Sequence, residues 1–244
     1  MAVPLSINNS LLKTTASGSL VSSIAESFTV NSGFFKALYV CTYSFTNVSS
    51  ITYGAASFTQ MTALTNNGYN PVCWWVLLSP AEGTDTITVN YTAPGGNLGW
   101  YAACLNGVDQ TSAVLDTPSV TTASSGSSTT NVAWAGDTST RNMKLLFAIY
   151  GLPVVDFTYD ASYNGTLPFS SRTLRTVEDS DVSSTTGGSN SIGGAVYNTI
   201  PASSSYKYGG THNWSGSVPT NTISWIFINE TLEDYPFNGQ VMIF

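Results

Sequence analysis

Histidine is the commonest general base, and this chain has one, His212. A Ser-His-Asp triad built on it would have many serines to draw on, but no Gly-x-Ser-x-Gly elbow presents a nucleophile. Beside Trp214, the imidazole reads as a surface or packing group. Glycoside hydrolysis needs two opposed carboxylates about 5–10 Å apart. Asp156 and Asp160 stand at i, i+4 in a segment that alternates like a strand, which spaces them about 13 Å along one face. That is too far for the pair alone. Another acidic group, Glu178-Asp179-Ser180-Asp181, has the oxygen chemistry of a calcium loop through Glu178, Asp179 and Asp181. Its composition equally suits a solvated acidic turn, which is the reading preferred here. No catalytic set and no cofactor is expected.

Carbohydrate binding is the more serious candidate. Tyr206-Lys207-Tyr208-Gly209-Gly210-Thr211-His212-Asn213-Trp214 sets three aromatics and a histidine among amide and hydroxyl groups in a glycine-containing loop. Sugar faces stack on aromatic rings while polar groups take the hydroxyls, so Tyr206, Tyr208, His212 and Trp214 are the candidate glycan ligands. The competing reading places Tyr206 and Tyr208 at i, i+2 on a strand whose alternate aromatics face a core. That spacing favours the second reading. Trp74-Trp75 lies in a strongly apolar run and reads as core.

The elements that must hold these groups are strands. Ala37–Phe45 alternates, with Tyr39, Cys41, Tyr43 and Phe45 on one face, and Thr86–Tyr91 points Ile87, Val89 and Tyr91 inward. Val72–Leu78, Lys144–Tyr150 and Asn221–Asn229 are apolar on both faces, the mark of strands covered on both sides, and Gly193–Ile200 completes the set. Turn chemistry separates the runs at Asn66-Asn67-Gly68, Pro80–Gly83, Pro94–Asn97, Asn106-Gly107 and Gly187–Asn190. Thr121–Thr130 is nearly pure Ser, Thr and Gly, and reads as a long connection crossing between two sheets of one sandwich. The expected fold is therefore all-β, a single β-sandwich over residues 28–231, with irregular arms at 1–27 and 232–244. The last of these ends on an apolar Val-Met-Ile-Phe that must pack on its own chain or on a neighbour.

Composition narrows the partners. Of 244 residues only 9% are charged, with 14 acidic against 7 basic and a net charge of -7. A phosphate-gripping surface needs clustered Lys and Arg, so nucleic acid is excluded. The apolar runs fall short of the roughly 20 residues of a membrane-spanning helix, and residues 1–10 do not read as a signal peptide, so no membrane partner is expected. Cys41, Cys73 and Cys104 are widely spaced in apolar stretches and read as small buried hydrophobes.

Three strings then carry a resemblance. They are Ser50-Ile51-Thr52-Tyr53-Gly54 with Phe58-Thr59-Gln60-Met61-Thr62, the run Trp74–Thr84 with its Pro80 and Gly83, and Asn106-Gly107-Val108-Asp109-Gln110-Thr111. In this order they resemble a jelly-roll, concanavalin-like β-sandwich module of phage virion proteins and bacterial surface proteins, over roughly residues 28–230. Ser-Ala-Val follows Thr111 where that pattern has proline, so this loop is expected to run differently. The resemblance implies a structural virion protein, a subunit that decorates or cements a phage head or forms a head or tail appendage. Its place would be the virion surface, after assembly in the host cytoplasm. Its partners would be copies of itself, often as trimers in such jelly rolls, and a major capsid or other virion protein. The alternative is a glycan-binding module or adhesin whose partner is a cell-surface glycan.

Overall fold

The computed structural model describes residues 3–14, 20–43, 46–66, 70–95, 99–114, 119–124, 129–136, 141–151, 154–158, 191–196, 206–214 and 220–232. Among these the regular elements are all strands. In chain order they are β1 Ser6–Thr14, β2 Val21–Val30, β3 Ala37–Tyr43, β4 Val48–Tyr53, β5 Ala56–Ser57, β6 Thr59–Asn66, β7 Asn70–Leu78, β8 Gly83–Gly95, β9 Gly99–Asn106, β10 Ser119–Ser124, β11 Thr129–Gly136, β12 Met143–Gly151, β13 Val154–Thr158, β14 Ser191–Val196, β15 Tyr206–Trp214 and β16 Thr220–Asn229.

Every strand pair is antiparallel. A five-stranded sheet, ordered β1-β9-β3-β7-β6, forms the middle layer. On one face, Ala37, Tyr39, Cys41, Trp74, Tyr101, Ala103 and Leu105 pack against Leu146, Ile226 and Ile228 of the sheet β10-β16-β12-β14. On the other, Leu38, Val40, Cys73, Trp75, Trp100, Ala102 and Cys104 pack against Ile24, Phe28, Ile51, Ile87 and Val89 of the sheet β2-β8-β4-β5. Strand β9 explains the arrangement. Its residues Gly99–Leu105 are all buried, because a strand covered on both sides has no face to give to water.

The double-sided reading therefore holds for Val72–Trp75 of β7 and for Ile226–Asn229 of β16, as does the inward set Ile87, Val89 and Tyr91. Trp74 and Trp75 are core, one on each face of β7. The Trp74 indole donates to Ser224 Oγ at 2.7 Å, which fastens the middle sheet to its neighbour inside an apolar layer. All three cysteines are free and buried. Strand β3 differs from the half-buried expectation: Leu38 and Val40 are as buried as Tyr39 and Cys41, because β3 lies in the middle of the middle sheet.

Two polar segments also depart from expectation. Residues 1–27 are not an irregular arm over their described length: β1 pairs with β9 from Ser6↔Asn106 to Thr14↔Gly99, and β2 pairs with β8 in another layer. Side-chain hydrogen bonds supply what apolar alternation lacks. Asn8 Nδ2 donates to the Asn31 carbonyl at 3.0 Å, Asn31 Nδ2 to the Asn8 carbonyl at 2.7 Å, and Asn9 Nδ2 to the Thr29 carbonyl at 2.7 Å. The Ser/Thr-rich stretch likewise holds β10 and the start of β11, which belong to different sheets. Threonine is a strong strand former, so low hydrophobicity did not mean low strand content. Residues 233–244, the larger part of the expected C-terminal arm, lie outside the described residues.

Candidate functional site

The segment Tyr206–Trp214 is strand β15, as the i, i+2 spacing of Tyr206 and Tyr208 favours, and not a glycine-containing loop. It is the middle strand of the sheet β11-β15-β13, and pairing on both edges carries it straight through Gly209-Gly210. Side chains alternate along a strand, so Tyr206, Tyr208, His212 and Trp214, each an even number of residues apart, share one face. Residues directly opposite in antiparallel pairs also share a face. Trp134 of β11 stands opposite Tyr208, and Phe157 of β13 stands opposite His212. The register shift between Val154 and Asp156 inserts one residue in β13 and brings Phe157 onto this face. The opposite face takes Lys207, Thr211 and Asn213 with Asn131 and Asp156. Sequence reasoning missed Trp134 and Phe157, whose only local signal was alternation within their own short strands.

The carboxylate candidates do not assemble in what is described. Asp156 is on β13, on the face away from His212. Asp160 and the calcium candidates Glu178, Asp179 and Asp181 lie outside the described residues. Among the described residues no group of three His, Cys, Asp or Glu is placed to hold a metal ion.

A second grouping, which sequence reasoning did not find, lies where β9 runs into residues 107–114. Gly107 makes the turn with φ +72°, and its N–H donates to the Phe34 carbonyl at 3.0 Å. Its own carbonyl accepts from the Thr231 N–H at 2.8 Å. A Cβ at position 107 would stand 2.5 Å from the carbonyl oxygens of both Val3 and Pro4, so only glycine fits this crossing.

Asp109 is the hub of the polar contacts that follow. Its Oδ1 accepts from the Thr111 N–H and hydroxyl, each at 2.8 Å, and from the Ser112 N–H at 2.7 Å, while Oδ2 pairs with the Arg141 guanidinium. Desolvation pushes this carboxyl up. The hydrogen bonds from Ser112 and Thr111, with Arg141, outweigh it and hold the pKa at about 2. Glu230 accepts from the Leu5 N–H at 3.2 Å and from Asn142 Nδ2 at 2.5 Å. The buried Lys36 ammonium donates to Glu82 Oε1 at 2.6 Å. These contacts join segments far apart in the chain.

Large apolar side chains stay in water around this knot: Leu232 is 62% exposed, Phe34 51%, Ile7 46% and Leu78 38%. Register sets Ile7, Leu105, Ala37 and Leu78 in one row across β1, β9, β3 and β7, with the inner two fully buried and the outer two half in solvent. Phe34 and Leu232 join them through the Gly107 hydrogen bonds to Phe34 and Thr231. The result is an apolar rim at one end of the layered sandwich.

The class defined by these features is an antiparallel all-β sandwich with a middle sheet covered on both faces. No family model and no curated protein matches the chain. Among solved structures, a protein from Eubacterium rectale is similar at 14% identity and a TM-score of 0.30, over 90% of this chain and 74% of that one. A likeness that loose carries no argument about function.

Proposed function

We propose that the protein is a structural virion subunit that decorates or cements a phage particle, or builds a head or tail appendage, by contact with copies of itself and with a major capsid or other virion protein. The observation that carries this reading is the rim of Ile7, Phe34, Leu78 and Leu232 around a rigidly tied end of the sandwich. Apolar surface in water costs free energy until another surface covers it, and a grouped set of this kind marks an interface. The surface elsewhere suits close packing of identical copies, since 9% charged residues produce little like-charge repulsion.

The jelly-roll assignment belongs to the same proposal. It is supported by nested pairing, β1 with β9, β2 with β8, β3 with β7 and β4 with β5, which is the pattern of one long hairpin rolled into two sheets. On this reading the roll is complete between Ser6 and Asn106, and β10–β16 add layers to it.

Mass spectrometry of purified particles tests the function. The protein is expected in many copies per particle, and its absence or presence in only a few copies would eliminate the decoration role. The rim is tested by Phe34→Ser with Leu232→Ser, which should cut particle occupancy at least tenfold with an unchanged melting temperature. Undiminished occupancy refutes the rim as the contact.

A further inference from the structure

We infer that the outer edge of β2, over Ser23–Ser27, pairs with the same edge of a second copy of this chain, the two strands running antiparallel about a two-fold axis. The contact is separate from the rim and does not depend on the virion reading.

Strand β2 closes the sheet β2-β8-β4-β5 and pairs with β8 alone. In an antiparallel ladder the N–H and C=O of one residue point the same way, and the direction alternates along the strand. Opposite Ser27, the Thr86 carbonyl is turned from β2 and accepts from the Gly54 N–H at 3.0 Å. Opposite Ser23, the Asn90 carbonyl accepts from Ser49 Oγ of β4 at 3.1 Å. The main-chain groups of Ser23, Ala25, Ser27 and Thr29 therefore face away from β8. Further along this edge, Asn9 Nδ2 donates to the Thr29 carbonyl at 2.7 Å. Asn8 donates to the Asn31 carbonyl at 3.0 Å and accepts from the Asn31 N–H at 2.8 Å. Asparagine side chains thus stand in for a neighbouring strand at 29 and 31, and they stop there. Among the described residues nothing bonds the outward N–H and C=O groups of Ser23, Ala25 and Ser27, and all three residues are exposed.

Sheet edges are commonly blunted by lysine, proline or a bulge, and Ser23–Val30 has none of these. Its one charge, Glu26, is paired with Lys13. What remains is complementary to itself. With Ala25 opposite Ala25 across the two-fold axis, Ser23 faces Ser27, and the three pairs exchange about six hydrogen bonds. Small neutral side chains meet along the seam. Glu26 falls opposite Ile24 and not opposite its own copy, so no like charges oppose each other. That match is what favours a second copy over an unrelated peptide.

Sedimentation of the full-length protein over a hundredfold concentration range tests the pairing. Wild type should pass from monomer to dimer, and hydrogen exchange at Ser23, Ala25 and Ser27 should slow as it does. Ala25→Pro removes an N–H that β8 does not use, so it should keep the wild-type melting temperature and weaken the dimer at least tenfold. Ala25→Lys and Ala25→Glu each set like charges across the axis and should each weaken it about fivefold. Mixing those two variants should restore a mixed dimer at least as tight as wild type. Ala56→Lys, on the opposite edge of the sheet, should stay within twofold. A protein that is monomeric throughout overturns the inference, as does a dimer that the Ala25 variants leave intact or a lysine–glutamate mixture that stays monomeric. Phe34→Ser with Leu232→Ser should dimerise like wild type. A dimer lost only in that variant belongs to the rim and overturns pairing at β2, so failure here and failure of the virion reading are distinguishable.

Discussion

Asp109→Asn tests the role of one carboxylate in ordering the loop after β9 and tying it to Arg141. Asparagine keeps one oxygen to accept from the Thr111 and Ser112 N–H groups, but loses the charge and turns the acceptor facing Arg141 into an amide donor. The native carboxyl has a pKa of about 2 against an ordinary 3.8, and each unit corresponds to about 1.4 kcal/mol, so ionised Asp109 contributes about 2 kcal/mol at neutral pH. Because the folded pKa lies below the unfolded one, this stabilisation is complete above pH 4 to 5. It fades as pH falls toward 2, with about half remaining near pH 3. Urea unfolding of wild type and Asp109→Asn at pH 7, 5 and 3 reads the difference directly. The gap should be about 2 kcal/mol at pH 7 and 5, and should narrow at pH 3 as wild type acquires a neutral side chain like the variant's. A gap that is the same at pH 3 and pH 7, or below about 0.5 kcal/mol throughout, refutes the assignment of Asp109 as a charged tie.

Two further outcomes follow from the same packing. Gly107→Ala forces a Cβ against the Val3 and Pro4 carbonyls at a positive φ, so it should cost at least about 2 kcal/mol. Hydrogen exchange should then speed up in β1 before it does in β3 or β7, and uniform acceleration would show that the N-terminal strand is not anchored there. Burial raises the thiols of Cys41, Cys73 and Cys104, the last two to about 11 and about 12. Native protein at pH 8 should therefore leave a thiol-disulfide reagent untouched, while unfolded protein titrates three thiols; rapid reaction of any of them before unfolding contradicts the layered core.

Local patterns in the chain were enough to identify some of this. Apolar runs without alternation marked β7 and β16 as strands covered on both faces, and period-two alternation placed Ile87, Val89 and Tyr91 inward, because each strand writes its own exposure into its own residues. Asn106-Gly107 announced a turn, which Gly107 makes. The polar strands were harder. Ser6–Thr14 is held by pairing to β9 and by asparagine side chains reaching Asn31 and Thr29, partners that no window of neighbouring residues contains.

What only the tertiary structure decided is which residues share a surface. Ile7, Phe34, Leu78 and Leu232 are scattered over the chain and become a rim because Ser6 pairs with Asn106 and Thr231 hydrogen-bonds to Gly107. Tyr208 and His212 were visible as candidates from the start, but Trp134 and Phe157 joined them through strand register alone. Composition and periodicity determined that this is a charge-poor, all-strand protein with buried thiols and no nucleophile elbow. They did not determine three layers, the Asp109 knot or the membership of either face. Alternation is a local consequence of backbone geometry, whereas pairing and layering follow from long-range burial and hydrogen bonding, whose energy depends on the partner and not on the sequence nearby.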